Sequence, residues 1–447
     1  MKIPEKAPDW INFLTDKSND ITSFINNSDF RDLLQKANSE YVYWDRFKYY
    51  DIPEGIDQKI AWGALKFNRY TQYKKCAVKD KKNEQFVYLL QNTILRDLHF
   101  IDKNAGGKIL VDDVNVGLDT EKYLVSSLME EAIASSQLEG AATTRKKAKE
   151  MLREGRKPRG KAEKMVINNY IAIKKVKEYL DQDLSISMIK DMQILITKDT
   201  LEKDQAPGEF RDEKEEYVVK DDQGILLFVP PNYIEIEDRL KELCAFVNKE
   251  DSEDSEDFIH PVIKAIILHF WLAYIHPFPD GNGRTARTLF YWYILKKGYW
   301  MFENLTISRI ILKAPAQYAR AYLYSEMDDN DLTYFIVFNL KVIKLAMESL
   351  NNYIVKQQKE YRKTKSFLSR YPGLSFRQQD ILNHALQHPD ISYSIQYYKN
   401  RYNCAYETAR SDLLDLHLKG LFEKIHKKKS YHFVPVGNID VKLRVIE

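Results

Sequence analysis

The sequence predicts a mostly α-helical chain, with one β-hairpin in its central part and a winged helix at its C-terminus. Three observations predict it. Residues 260–275 are apolar nearly all round and open on His260-Pro261, the pattern of a buried helix with proline in its first turn. Leu124, Val125, Leu128, Met129, Ala132 and Ile133 recur at helical spacing and stop at Gly140. Only around 216–231 do two apolar runs flank a polar, Gly-containing turn, which is the signal of a hairpin.

The elements follow in chain order. Residues 1 to about 115 are polar and aromatic, with Trp44-Asp45-Arg46-Phe47 inside and Gly106-Gly107 near the end, and read as a helical N-terminal extension. The helix of about 122–140 ends in Ser135-Ser136-Gln137-Leu138-Glu139-Gly140, so that Ser135 and Glu139, four apart, share a face of its last turn. Pro207-Gly208-Glu209-Phe210-Arg211 leads to the hairpin of about 216–230: Glu216-Tyr217-Val218-Val219-Lys220, a turn at Asp221-Asp222-Gln223-Gly224, and Ile225 to Pro231. Glu250 to Asp257 is an acidic connection. The central domain, 116–355, ends before the charged Tyr361-Arg362-Lys363-Thr364-Lys365.

Residues 362–447 read as the winged helix: helices at Phe376–Leu386, Tyr393–Tyr402 and Tyr406–Gly420, then two strands around Lys427-Lys428-Lys429. From Tyr361 onward 15 Lys and Arg face 8 Asp and Glu, about +7, the bias of a DNA-facing module; a protein-interaction or dimer module is the alternative. The whole chain is nearly neutral at +3, so no global field points to nucleic acid or membrane. Lys264 interrupts the best candidate for a membrane span. Cys76, Cys244 and Cys404 stand in no C-x-x-C spacing, which argues for a reducing compartment and a cytoplasmic protein.

The chemistry concentrates in His276-Pro277-Phe278-Pro279-Asp280-Gly281-Asn282-Gly283-Arg284-Thr285-Ala286-Arg287. Gly281-x-Gly283-x-x-Ala286 fits a dinucleotide fingerprint, but that fingerprint needs a preceding strand, and the preceding run is too long and too helical. A Walker loop is excluded because no Gly-Lys-Ser/Thr follows. A loop leading into a helix from about Asn282 instead aims the N–H groups of Gly281, Asn282 and Gly283, and the positive end of the helix dipole, at phosphate oxygens. Arg284 and Arg287, three apart, would both reach a polyphosphate, and Asp280 would hold a bridging Mg²⁺. His276 is the group able to take a proton from a hydroxyl near neutral pH, and Phe278 packs the loop down.

The twelve residues match the signature H-x-F-x-[DE]-G-N-G-R-x-x-R at every fixed position and so resemble Fic-domain proteins. Ser135 to Gly140 resembles that family's inhibitory motif [ST]-x-x-x-E-[GN], placed N-terminal to the core as in its second class. The hairpin is similar to the Fic flap, and Gln317-Tyr318-Ala319-Arg320-Ala321-Tyr322 lies where the family places its adenine pocket, which assigns Tyr318 to the nucleotide. The resemblance implies an all-helical Fic core and transfer of AMP from ATP, with Mg²⁺, to a Ser, Thr or Tyr hydroxyl of a target protein or of the chain itself. It implies inhibition by a Glu139–Arg287 ion pair that denies Arg287 to the γ-phosphate. Two other readings stay open: a hydrolase that uses Glu139 to remove AMP, and a DNA-binding regulator with a nucleotide-sensing core. A homodimer remains compatible with each.

Overall fold

A computed structural model describes residues 2–11, 27–105, 120–202, 205–213, 218–220, 223–250, 258–368, 373–387, 391–427 and 430–437. Several expected features lie outside the described residues: Gly106-Gly107, Glu216-Tyr217, Asp221-Asp222, most of the acidic connection, and Lys428-Lys429. The chain is mostly helical. Its elements in order are α1 (Ser28–Glu40), α2 (Trp44–Phe47), α3 (Gln58–Tyr70), β1 (Lys74–Lys79), β2 (Gln85–Tyr88), α4 (Asn92–Ala105), α5 (Thr120–Leu138), α6 (Arg145–Glu154), α7 (Lys161–Lys175), α8 (Ile186–Thr197), β3 (Val219–Lys220), β4 (Leu226–Phe228), α9 (Ile236–Asn248), α10 (Pro261–Ile275), α11 (Asn282–Lys296), α12 (Ile307–Leu312), α13 (Pro315–Met327), α14 (Thr333–Leu368), α15 (Phe376–Gln387), β5 (Tyr393–Ser394), α16 (Ile395–Tyr402), α17 (Tyr406–Leu418), β6 (Phe422–Lys427) and β7 (Ser430–Pro435).

These fall into two compact units, one of Met1–Leu110, Glu130–Ala142 and Gly160–Met347, the other of Val111–Met129, Thr143–Arg159 and Glu348–Glu447. In the first, α10 is the central helix. His260 caps it through Val262 N–H, Pro261 occupies its first turn, and residues from Val262 to Ile275 are buried except Ala273. It packs along α11, whose residues are likewise buried almost throughout.

The N-terminal segment builds part of the same unit. Phe30, Trp44, Phe47 and Trp62 form a core that includes Tyr334 of α14. Arg69 is fully buried there, donating to Tyr334 Oη at 2.9 Å and to the Val42 carbonyl at 3.1 Å, while Lys66 pairs with Asp328 at 3.0 Å. Buried cations survive because each donor finds an acceptor. The expectation of a purely helical extension is corrected by β1 and β2, an antiparallel hairpin in which Cys76 and Val78 alternate inward between lysines. The flap hairpin is short: Val219 faces Phe228 and Lys220 faces Leu226, with an irregular register.

The second unit has its own core of Ile381, Leu382, Tyr393, Tyr398, Leu413, Leu416 and Phe433, under α15–α17 and an antiparallel sheet ordered β5-β7-β6. The helix expected from Tyr393 begins at Ile395. Ser394 caps it by accepting from Tyr397 N–H at 3.0 Å, and Tyr393 and Ser394 pair with Phe433 and His432, so the sheet gains a third strand. α6 belongs to this unit, with its Arg153 carbonyl accepting from Asn400 Nδ2 at 3.2 Å. Among the described residues no helix is long and apolar enough to cross a membrane, and the three cysteines are free.

Candidate functional site

The site is built at the junction of α10 and α11. α10 stops at His276, whose φ of 50° and ψ of 56° place a non-glycine residue in the left-handed region, while its N–H still bonds the Leu272 carbonyl at 3.0 Å. The ring donates from Nδ1 to the Ala273 carbonyl at 3.3 Å, which leaves Nε2 as the acceptor. Burial pushes His276 down to about 4, so the imidazole is neutral at pH 7 and able to take a proton.

The loop after His276 is pinned from several sides. Asn282 accepts from Phe278 N–H at 2.9 Å and donates to the Phe278 carbonyl at 2.7 Å, closing the turn on itself. Phe278 is fully buried against Phe210, ring centroids 5.5 Å apart. Arg211 donates to the carbonyls of His276 at 2.7 Å, Ile275 at 3.3 Å and Pro231 at 2.5 Å, and its own N–H bonds Pro277. Gln193 of α8 donates to the Asp280 carbonyl at 3.1 Å and accepts from Gly208 N–H at 2.7 Å. Sequence reasoning passed over Arg211 and Gln193; the Pro-Gly-x-x-Arg run was the available signal for the first, and nothing local signalled the second.

Gly281 caps α11 with φ 89°, and a Cβ there would stand 2.8 Å from Thr197 Cγ2, so both conformation and space demand glycine. No side chain caps α11. Of the three N–H groups expected to cradle an anion, that of Gly281 donates to Asp280 Oδ1 at 2.5 Å. Asn282 and Gly283 present the open end of the helix. A Cβ on Gly283 would stand 2.9 Å from Glu139 Cδ and 3.1 Å from Arg287 Nη1, so the Glu139 carboxylate lies directly over the helix N-terminus. The side chain one residue past the end of α5 thus covers the open end of α11.

Arg287, 4% exposed, holds that carboxylate. Its Nη2 donates to Glu139 Oε1 at 2.8 Å and to the Ser135 carbonyl at 3.0 Å, and its Nε donates to Ser135 Oγ at 2.9 Å. α5 is fixed in turn by Glu131, which accepts from Ser308 N–H at 2.9 Å and from its hydroxyl, by Asn169 on the Ala132 carbonyl, and by Ser136 on the Met165 carbonyl. Burial raises the Glu131 carboxyl. Arg284 behaves differently from the expectation that it shares an anion with Arg287. It is fully buried and donates to Asp280 Oδ1 at 2.8 Å and to the Ile196 carbonyl at 3.3 Å. The two guanidiniums have separate partners.

Tyr318 of α13 is half-buried beside His269, with its hydroxyl 2.9 Å from His269 Nε2 and 3.3 Å from the Tyr322 hydroxyl. Phe335 and Phe338 close this aromatic group. Burial, reinforced by the Arg287 charge, lowers His269 to about 3. Among the described residues no three His, Cys, Asp or Glu side chains form a metal cluster.

With this geometry in view, a family profile described as the Fic/DOC family matches residues 183–294, the stretch that holds Gln193, Arg211 and the whole His276–Arg287 loop. Over residues 183–294 the chain is similar to the Fic/DOC family. Glu139 and Tyr318 lie outside the matched stretch. A protein adenylyltransferase Fic of Nematostella vectensis is 44% identical over 63 residues, 14% of this chain and 14% of that protein. The protein adenylyltransferase fic-1 of Caenorhabditis elegans is 37% identical over 71 residues, 16% of this chain and 13% of that protein. The matches therefore span about a seventh of these relatives' length. The crystal structure of a Fic family protein from Desulfovibrio desulfuricans G20 superposes with a TM-score of 0.50 at 14% identity, covering 78% of this chain and 98% of that one, which shows a shared fold.

Proposed function

We propose that the chain is a protein adenylyltransferase held off by its own Glu139. The observation that carries this reading is the Glu139 carboxylate seated over Gly283 and bonded to Arg287, a carboxylate standing where a phosphate would bind. ATP would lay its phosphates on the α11 N-terminus, with the γ-phosphate on Arg287 once Glu139 withdraws. A target Ser, Thr or Tyr oxygen, laid beside the flap edge, would attack the α-phosphorus in line as its proton passes to His276 Nε2. The new P–O bond forms on the target, the α–β bridging bond breaks, and pyrophosphate leaves. The N-terminus of α11 would stabilise the growing charge.

Asp280 fits Mg²⁺ as a single carboxylate that phosphate oxygens and water would complete, which is the habit of that ion. Bound there, Mg²⁺ would offset polyphosphate charge. Arg284 would hold Asp280 in place for it. Tyr318 would border the adenine side of the pocket. The free cysteines, two of them buried, suit a reducing cytoplasm.

We read the second unit as a winged helix. The charges of α17 are paired within the unit, Arg410 with Glu407 and Asp412 with Arg377 at 2.7 Å, which favours a protein-contacting or dimer module over a reader of DNA. The test of the main reading is α-labelled ATP with lysate, comparing the wild type with Glu139→Gly. Transfer that rises in the variant supports an inhibited transferase. Release of AMP from modified protein that needs Glu139 supports the hydrolase instead.

A further inference from the structure

α5 carries a buried carboxylate that neither the transfer chemistry nor the Glu139 block uses. Glu131 is 1% exposed, and both of its oxygens accept from Ser308, one from the N–H at 2.9 Å and the other from the hydroxyl. Burying a carboxylate is costly unless its oxygens are bonded, so this pair fixes the side chain in one place. Ser308 is itself fully buried in the first turn of α12, a helix whose N-cap residue, Thr306, makes no side-chain cap. Glu131 therefore caps a helix to which it does not belong, a role that suits a negative charge.

The same α12 terminus touches α11. The Tyr291 hydroxyl donates to the Leu305 carbonyl at 3.1 Å and accepts from Ile307 N–H at 3.2 Å, and Tyr291 follows Arg287 by one turn. α5 matches this spacing. Glu131 and Ser135 are one turn apart on it, and Glu139 stands one turn further, just past its end, so the three share a stripe. Ser135 and Glu139 hold Arg287, while Glu131 holds Ser308. Asn169 and Ser136 tie α5 to α7 instead. Rotating α5 by the angle of one residue, about 100°, would carry Glu139 off the α11 N-terminus, and a bond two turns back on the same stripe resists that rotation.

We infer that Glu131 is a positioning residue for inhibition: its bonds to Ser308 set the rotation of α5 that seats Glu139 over Gly283 and on Arg287. The inference rests on the reading of Glu139 as inhibitory and names a further contact on which that inhibition depends.

The test uses the full chain with Glu131→Gln and Ser308→Ala, each alone and combined with Glu139→Gly. Two quantities are read: label incorporation from α-labelled ATP, and amide hydrogen exchange of residues 134–139 with α10 as the control for an intact fold. Either single variant should raise incorporation about two- to tenfold, the reach of one or two hydrogen bonds, and speed exchange at 134–139 but not in α10. On the Glu139→Gly background neither should raise incorporation further, because the group they position is gone. A merely structural role would instead lower incorporation in both backgrounds, and that result, or no change in either, would overturn the inference. Ser308→Ala keeps the carboxylate and its N–H bond, so it decides the matter if Glu131→Gln does not fold. If no chain transfers label, Glu139→Gly included, the transferase reading has failed; exchange then still decides whether Glu131 holds the end of α5, and unchanged exchange would overturn that too.

Discussion

The loop His276–Arg287 and the end of α5, Ser135–Glu139, meet in one site but are held in contrasting ways. The loop is over-determined: Asn282 closes it, Arg211 ties three carbonyls around it, Gln193 and Phe278 anchor it, and glycine at 281 is sterically required. The Glu139 carboxylate is a quarter exposed and is held through one guanidinium. A group that must act on a reacting phosphate needs a fixed position, whereas a group that blocks must be able to leave. On the proposed reading, catalysis falls on the rigid part and control on the loosely held part.

The contrast can be broken from its rigid side first. His276→Ala should lower transfer by roughly 10²–10⁴ with ATP affinity nearly unchanged, since the base serves the hydroxyl and not the nucleotide. Label incorporation and ATP titration check it, and retention of most activity would make His276 structural. Arg211→Ala should come next. It leaves the Ile275, His276 and Pro231 carbonyls without their donor, at about 1–3 kcal/mol, and should lower kcat more than it changes KM for ATP. Thermal melting and steady-state kinetics separate the two effects.

A pH series sharpens the same point with a smaller effect. Burial holds His276 at about 4 and His269 at about 3, against an ordinary value near 6.5, so the folded protein keeps both neutral where the unfolded chain binds protons. Stability contributed by these sites is present above about pH 6.5 and lost as pH falls toward 4. The acid limb of the transfer rate should accordingly centre near pH 4, provided melting shows the fold intact. A limb near pH 6.5 would mean an exposed, ordinarily basic His276.

Much of this site was legible because its chemistry is local: His276, Phe278, Asp280, Gly281, Asn282, Gly283, Arg284 and Arg287 stand within twelve residues of a single helix–loop–helix. The buried helix announced itself by apolarity and by His260-Pro261, and the hairpin by its polar turn. What stayed hidden depends on partners far along the chain. Arg211 and Gln193 bond backbone carbonyls, which have no residue identity to read, and the burial of Arg284 against Ile196 could not follow from spacing alone. Tyr393-Ser394 is too short to show a strand period, and β1 was masked by its lysines although Cys76 and Val78 alternate inward. Glu139 and Arg287, 148 residues apart, were linked in advance only through the family resemblance.

The central claim is that Glu139 occupies an anion's place and thereby suppresses transfer. Measuring label incorporation from α-labelled ATP by wild type and Glu139→Gly, side by side and with melting curves, tests it most directly. The variant should incorporate more label, most visibly on itself, with stability changed by no more than about 1–3 kcal/mol. Equal incorporation by two equally folded proteins would contradict the account.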